Sequence, residues 1–252
     1  MKIPFILNNK KYLIRPMITR EELDILEYLY TCDNPSQDEL ECILSDFLNY
    51  FNINNNILIE NIIIFLKIRE YSIGDDIEVK FKCDSCKNPQ TTKIQISKII
   101  KLATIHDSKL HGIYNENEIP KLEDLIKEDD LQELEWDEYN FMSKNIKDYL
   151  DLYNFTPKVI CPYCGKEITL NISSLKTILS FVSDESFISL SKAIHTLTYF
   201  EHNGRNDILQ MTPIQRILEM QNLKNTQKEI AEQTKKMTSS ELFAQRTKKW
   251  II

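Results

Sequence analysis

The spacing of apolar residues changes along the chain, and each change predicts a different kind of secondary structure. Near the N-terminus, Ile3–Phe5 and Tyr12–Ile14 flank the dipeptide Asn8-Asn9. Two short apolar runs joined by asparagines that tolerate a tight turn are typical of a β-hairpin. Residues 3–15 are therefore predicted to form a hairpin.

Three helices are predicted to follow this hairpin. Thr19 with Glu22, and Ser36 with Glu39, have the spacing of a capping box, in which two side chains satisfy the free N–H groups of a helix start. A third helix, over about residues 57–70, is apolar on nearly every side, so we expect it to be the most buried element of the N-terminal part.

From Ile77 onward the apolar period becomes two residues, which indicates strands. Ile77, Val79 and Phe81 lead to a first Cys-x-x-Cys pair, and Ile94 and Ile96 continue the alternation after it. The same order of strand, cysteine pair and strand recurs in residues 157–172. The sequence thus predicts two similar hairpins, each with a cysteine knuckle at its tip.

An acidic segment separates the two hairpins. Residues 115–151 contain thirteen Asp or Glu and four Lys, a local charge of −9. We interpret it as a solvated helical insert with its few large apolar residues turned inward.

The C-terminal third is predicted to be helical, over Ser173–Val182 and Glu185–His202, with Gly204 as a helix stop. The run Thr212-Pro213-Ile214-Gln215 combines an N-cap, a proline at the first helical position and a capping-box partner. Beyond Lys224 the last helix becomes polar, and we expect it either to fray or to dock on another chain.

These patterns predict an α+β fold, mainly helical, with a small antiparallel zinc-ribbon sheet split by an acidic helical insert. The predicted division is 1–76 for an N-terminal hairpin and helical domain, 77–101 and 157–172 for the two ribbon halves, 102–156 for the insert, 173–224 for a C-terminal helical domain, and 225–252 for a polar helical tail.

Composition excludes several classes of function. The chain has only four glycines, none clustered, which argues against phosphate-binding and dinucleotide-binding loops. The net charge of −7 argues against a general nucleic-acid binder. No secretory signal or membrane span is predicted, so we expect a soluble intracellular protein.

Four cysteines carry the strongest chemical signal: Cys83 with Cys86, and Cys161 with Cys164. A two-residue gap lets both thiolates of a pair face one ion, and two such pairs complete a tetrahedral sulfur site. We predict one structural Zn²⁺, because four protein ligands leave no open coordination position for catalysis.

Other interpretations of these hairpins remain open. The cysteines could be two separate redox dithiols or four unrelated buried thiols, although redox motifs sit at helix N-termini and these pairs follow strands. A zinc ribbon could also bind nucleic acid, since residues 77–101 contain six Lys and two acidic residues. No row of aromatic residues for base stacking accompanies those lysines.

The remaining candidate residues are predicted to be structural. Cys32 and Cys42 lack a Cys-x-x-Cys partner and are interpreted as small buried apolar residues. His106 and His111 are placed in a polar loop, without a metalloprotease motif.

His195 and His202 share a helix face as packed or surface histidines. No nucleophile elbow, phosphate loop or dinucleotide fingerprint is present, so we predict that the protein is not an enzyme.

Several segments form a recognisable series: Ile14–Pro16, the helix start Thr19–Glu22, the helix-Gly-strand-CxxC run Ile62–Ile96, Leu197–Gly204, and Met211–Pro213. Together these segments resemble the baseplate hub proteins of T-even-like contractile-tailed bacteriophages. They follow the order of the family and cover about half of the chain, whereas the acidic insert and the polar extension depart from it.

The resemblance implies a structural or assembly component of a tail baseplate hub, without catalysis. Its partners would be other tail or baseplate proteins, with no small-molecule substrate, and its place the host cytoplasm during assembly or the virion tail. The alternative function is a zinc-ribbon nucleic-acid-binding module.

Overall fold

The computed structural model describes residues 2–54, 57–113, 155–170, 172, 174–200 and 204–248. The chain divides into two compact units, one formed by Met1–Met17 and Glu21–Ser186, the other by Ile18–Arg20 and Phe187–Ile252. The α+β class is confirmed, because helices dominate and the sheets are small and antiparallel. The predicted acidic insert, 115–151, lies outside the described residues.

The elements of the described residues are numbered here in chain order. They are β1 (Ile3–Leu7), β2 (Lys10–Ile14), α1 (Thr19–Thr31), α2 (Gln37–Asn49), α3 (Leu58–Ile73), β3 (Asp76–Lys82), β4 (Pro89–Gln95), α4 (Ile96–Ile113), β5 (Lys158–Ile160), β6 (Glu167–Thr169), α5 (Leu175–Ser180), α6 (Phe187–Phe200), α7 (Arg205–Gln210) and α8 (Pro213–Lys248). The strands pair only within three separate antiparallel hairpins in the part of the chain that is described: β1 with β2, β3 with β4, and β5 with β6.

The predicted N-terminal hairpin is confirmed, and its turn explains a polar residue in the core. Asn8 and Asn9 both have positive φ, 48° and 61°, as a two-residue hairpin turn requires. The Asn8 side chain also donates a hydrogen bond of 2.8 Å to Glu60 Oε1. This bond helps to satisfy the carboxylate of Glu60, which is fully buried on α3.

Helix α3 forms the centre of the first unit, as its apolar sequence predicts. Its side chains are buried on all sides of the helix from Ile59 to Leu66. Phe65 packs edge-on against Phe47 of α2, with ring centroids 5.3 Å apart. The capping box that was predicted for α2 is also confirmed, with hydrogen bonds in both directions between its N-cap and N3 residues.

We call β3–β4 and β5–β6, which carry the predicted zinc ligands, the first and second metal-site hairpins. A buried arginine anchors the first of them to α3. Arg69 is 1% exposed, and its guanidinium donates to the carbonyl oxygens of Phe181 (2.8 Å), Gly74 (2.7 Å) and Asp76 (3.3 Å). It also donates to the half-exposed carboxylate of Asp184 at 2.7 Å. Burial lowers the pKa of Arg69, and Asp184 opposes this effect. One side chain thus joins the end of α3, the start of β3 and the loop after α5.

The returning strand is shorter than predicted, because a helix interrupts it. Ile96 and Ser97 were expected to continue the strand alternation, but β4 ends at Gln95 and α4 begins at Ile96. The cause is Asp75, whose carboxylate accepts hydrogen bonds from the N–H (2.7 Å) and the hydroxyl (2.9 Å) of Ser97. The Asp75 carboxylate therefore caps the N-terminus of α4 from the opposite side of the hairpin.

The second unit contains α6, α7 and α8. Gly204 was predicted to stop a helix, but it is the N-cap of α7, with a φ of −59°. The predicted capping box at the start of α8 is confirmed: the Thr212 N–H donates to Gln215 Oε1 at 2.9 Å, and the Gln215 N–H donates to Thr212 Oγ1.

The predicted helix start at Thr19 is also confirmed, with a partner that the sequence did not indicate. The Thr19 hydroxyl donates to the Met211 carbonyl at 2.9 Å and accepts a hydrogen bond of 2.8 Å from the buried Arg216. All three residues belong to the second unit.

The long helix α8 is polar beyond its first turns. Its residues from 224 to 235 are exposed on every side. None of the described helices combines the length and the apolar character that a bilayer span requires. The division of the chain into six parts stays a prediction.

We expect the change Arg69→Leu to lower the free energy of unfolding by at least about 3 kcal/mol, because three carbonyl acceptors lose a charged donor. The change Asp184→Asn should cost no more than about 1 kcal/mol, since the half-exposed carboxylate is screened by water. Urea denaturation followed by circular dichroism measures both values. Equal effects of the two changes would contradict the anchoring role of the guanidinium.

Candidate metal centre

The four cysteines of the two Cys-x-x-Cys pairs meet at one point in the first unit. The sulfur atoms of Cys83, Cys86, Cys161 and Cys164 all lie within 4.8 Å of one another. Cys83 Sγ is 3.7 Å from Cys164 Sγ, and Cys86 Sγ is 3.8 Å from Cys161 Sγ. No two of these sulfurs are bonded as a disulfide.

These distances fit a tetrahedral metal ion. With metal–sulfur bonds of about 2.3 Å, the edge of a regular tetrahedron of sulfurs is about 3.8 Å. The two measured separations already match that edge. Four converging thiolates are a soft donor set that suits Zn²⁺.

The two knuckles have the same backbone geometry. In the first, the Cys83 N–H donates to the Asn88 carbonyl (3.2 Å), and the Lys87 N–H donates to the Cys83 carbonyl (2.8 Å). In the second, Cys161 is bonded in the same way to Lys166 and Gly165, each at 2.9 Å. Each knuckle therefore presents its two sulfurs in the same way.

The strands that carry the knuckles are also equivalent. Phe81 pairs with Gln90 in the first hairpin, two residues before the first cysteine and four after the second. Val159 and Ile168 occupy the same two places in the second hairpin. The site is therefore built from two matching halves, although 74 residues lie between Cys86 and Cys161.

Backbone N–H groups stabilise the thiolate of the first cysteine in each knuckle. The Cys86 N–H is the largest influence on Cys83 and lowers its pKa against the opposing effect of burial. Burial acts to raise the pKa of Cys161, but the Cys164 N–H, the Gln90 carboxamide and the Tyr163 N–H outweigh it and lower this pKa to about 6.

The second cysteine in each knuckle keeps its proton more strongly. The Lys166 N–H acts to lower the pKa of Cys164, but its hydrogen bonds with the other cysteines and its burial raise this pKa to about 11. For Cys86 the Asn88 N–H acts in the same direction, and burial with the neighbouring thiols raises the pKa. A divalent cation at the centre would therefore have to displace protons from Cys86 and Cys164.

Gln90 is a polar member of the site that the sequence analysis missed. Its side chain is 7% exposed, and its Nε2 donates to Cys161 Sγ at 2.8 Å and to Cys86 Sγ at 3.7 Å. The available signal was a glutamine at an inward position of a strand, where the alternation that includes Ile94 favours an apolar residue.

The other candidate residues lie away from this cluster, and two of the predictions about them are wrong. Cys42 is exposed and Cys32 is partly exposed, so they are not buried apolar residues. His106 and His111 lie in α4 and not in a polar loop, because that helix continues to Ile113.

His195 is an exposed residue of α6 that stacks on Tyr199, with ring centroids 6.5 Å apart. His202 lies outside the described residues.

The basic surplus of the first hairpin is smaller than the sequence suggested. Lys98 and Lys101 belong to α4, so residues 76–95 contain four Lys and three acidic residues, a net charge of +1. Lys93 lies opposite Glu78 across the strands, and its ammonium is 3.8 Å from the Asp76 carboxylate. This arrangement weakens the case for a nucleic-acid surface.

Comparison with protein families supports the resemblance to baseplate proteins for part of the chain. Residues 1–111 match the family described as T4 bacteriophage base plate protein. The matched region of this base plate family contains Cys83 and Cys86 but not Cys161 and Cys164, so it covers one half of the candidate metal centre. No curated protein and no solved structure was found to match the chain.

The two equivalent turns make a matched pair for mutagenesis. Lys87 and Gly165 both have positive φ, 58° and 69°, and a Cβ at Gly165 would contact nothing within 4 Å. We expect Gly165→Lys to lower the free energy of unfolding by about 1–2 kcal/mol for conformational reasons alone.

The reverse change, Lys87→Gly, should be neutral or stabilise by up to about 1 kcal/mol. Thermal denaturation of the two variants in the same buffer compares them. If Gly165→Lys left the melting temperature unchanged, backbone conformation would not be the determining factor.

Proposed function

We propose that this chain is a structural or assembly component of a contractile phage tail baseplate, acting at the hub, and that its four cysteines hold one structural zinc ion. The observation that carries the baseplate role is the match of residues 1–111 to the base plate family. The assignment to the hub rests on the sequence resemblance alone, in which Ile62–Ile96 and Leu197–Gly204 are the longest segments.

The zinc part of the proposal rests on the sulfur geometry. Two separations of 3.7 and 3.8 Å fit tetrahedral coordination, and four cysteine ligands would fill it. Zinc would supply folding free energy here, because a site that does not exist in the unfolded chain couples binding to folding. In this role the ion would join β3–β4 to β5–β6 and would take no part in a reaction.

Exposed apolar side chains support an assembly role. In the second metal-site hairpin, Ile160 and Tyr163 are 69% and 72% exposed. In the second unit, Tyr199 and Phe200 are exposed and pack edge-on against each other, with ring centroids 5.0 Å apart. Adjacent aromatic residues of this kind are typical of protein–protein contacts, so we propose other tail or baseplate proteins as partners.

The polar helix α8 offers a second binding surface. Nothing in the described part of the second unit covers its residues from 224 to 235, where Ile230 is 57% exposed. A helix that buries so little surface on its own chain gains most of its stability from another one. We therefore assign α8 to contacts with neighbouring subunits.

The zinc proposal predicts about one equivalent of zinc in freshly purified protein, measured by elemental analysis. Cys83→Ser and Cys161→Ser should each release the metal and lower the melting temperature, because three thiolates hold zinc less tightly than four. Cys42→Ser is the matched control: this exposed cysteine lies outside the cluster and should leave the zinc content unchanged. Stoichiometric zinc in Cys83→Ser and Cys161→Ser would refute the ligand assignment.

The baseplate proposal predicts that the chain is found with tail structures of the phage that encodes it. Mass spectrometry of purified tails and of baseplate intermediates, with purified heads from the same lysate as the control, locates it. Presence in tails supports a structural role, and presence only in the intermediates supports an assembly role. Absence from both tails and intermediates would rule the proposal out.

A further inference from the structure

Gln90 occupies an inward position of β4, where the alternation of the strand favours an apolar residue. The inward positions of β4 run from the buried Ile94, next to the core, through Thr92 to Gln90, next to the sulfur atoms. Burying a carboxamide costs free energy unless its donors and acceptor are satisfied. A reason for this glutamine should therefore exist at the sulfur end of the strand.

The other half of the site shows that the fold does not need a glutamine there. Ile168 stands at the equivalent position of β6, four residues after the second cysteine of its pair. The two knuckles and the strand registers are otherwise the same. Gln90 is thus a departure from the repeated plan, and the difference between the two residues is the polar group.

The carboxamide of Gln90 reaches across from one half of the site to the other. Its Nε2 lies on the first hairpin and donates to Cys161 Sγ of the second hairpin at 2.8 Å. Within the described residues, its buried Oε1 has no hydrogen-bond partner. The side chain therefore points its donors at sulfur even though its acceptor gains nothing, which is the orientation that a negatively charged thiolate selects.

We propose that Gln90 is a positioning residue of the metal centre, which binds the Cys161 thiolate across the two hairpins and stabilises the charge of the four-sulfur cluster. Four thiolates around a divalent cation carry a formal charge of −2, and an N–H donor in a buried site offsets part of it. The hydrogen bond also holds Cys161 close to the first hairpin before the metal arrives. The inference rests on the proposed zinc site.

Two substitutions separate the hydrogen bond from the shape of the side chain. Gln90→Ile installs the residue that the chain itself uses in the second hairpin, and Gln90→Glu keeps the shape but replaces the N–H donors by carboxylate oxygen. Both should weaken zinc binding by about 10- to 100-fold, as is usual for groups that support metal ligands. Competition with a chromogenic chelator measures the affinity.

Substitution of Co²⁺ for Zn²⁺ gives an absorption band whose energy would not shift through a change in side-chain packing alone. The thiolate-to-Co²⁺ charge-transfer band should shift to lower energy in both variants, because a sulfur that loses an N–H donor gives up an electron more easily. Ile168→Leu is the matched control at the equivalent position of the other hairpin, and it should leave the band and the affinity unchanged. Circular dichroism of the metal-saturated proteins checks that each variant is folded.

The outcomes distinguish the two proposals. If the unaltered chain binds neither Zn²⁺ nor Co²⁺, the zinc proposal fails, and the role of Gln90 fails with it. If the unaltered chain binds both ions but Gln90→Ile matches it in affinity and band position, the metal site stands and the role of Gln90 is refuted. A loss of affinity of the same size in Ile168→Leu would likewise refute it, because general packing would then explain the effect.

Discussion

The convergence of four sulfur atoms is the constraint on which the metal-site hairpins depend. A two-stranded hairpin is only marginally stable in water, and β5 and β6 have only three residues each. Neither hairpin joins the other through backbone pairing in the described part of the chain. The hairpins are connected instead at the cysteines and at Gln90, so the chemistry of the sulfurs decides how firmly they are held together. In the proposed zinc form, the metal would replace the sheet that the chain does not build.

Much of this arrangement could be predicted from the sequence, because many of its signals are local. The Asn8-Asn9 turn and the capping boxes at Ser36 and Thr212 each depend on residues within a few positions, and all three are present. The two cysteine pairs could also be matched, since each carries its own flanking strands. The hydrogen bonds that connect such segments to one another could not be predicted from local patterns.

Three of the misses have a common physical origin in contacts between distant residues. Asp75 starts α4 by bonding Ser97, 22 positions away, so the strand period continued in the sequence where the strand itself did not. Arg69 bonds Phe181, 112 positions away, and Gln90 bonds Cys161, 71 positions away. The alternation of β4 marks Gln90 as an inward residue, but no sequence pattern identifies the partners of a buried arginine or glutamine, because they are backbone carbonyls or sulfurs that only the fold brings close.

The first metal-site hairpin is fixed at both ends by different means. At its base the guanidinium of Arg69 donates a hydrogen bond to the carbonyl oxygen of Asp76, and at its far end Cys83 belongs to the sulfur cluster. These two attachments respond to different conditions, since chelators remove a metal ion and oxidants react with thiolates, whereas a buried guanidinium is affected by neither. In the proposed zinc form, removal of the metal would therefore loosen the hairpin from the knuckle inward, while its base stayed attached to α3. Such a graded release would let a demetallated chain keep its helical core and close around a new ion without refolding from the start.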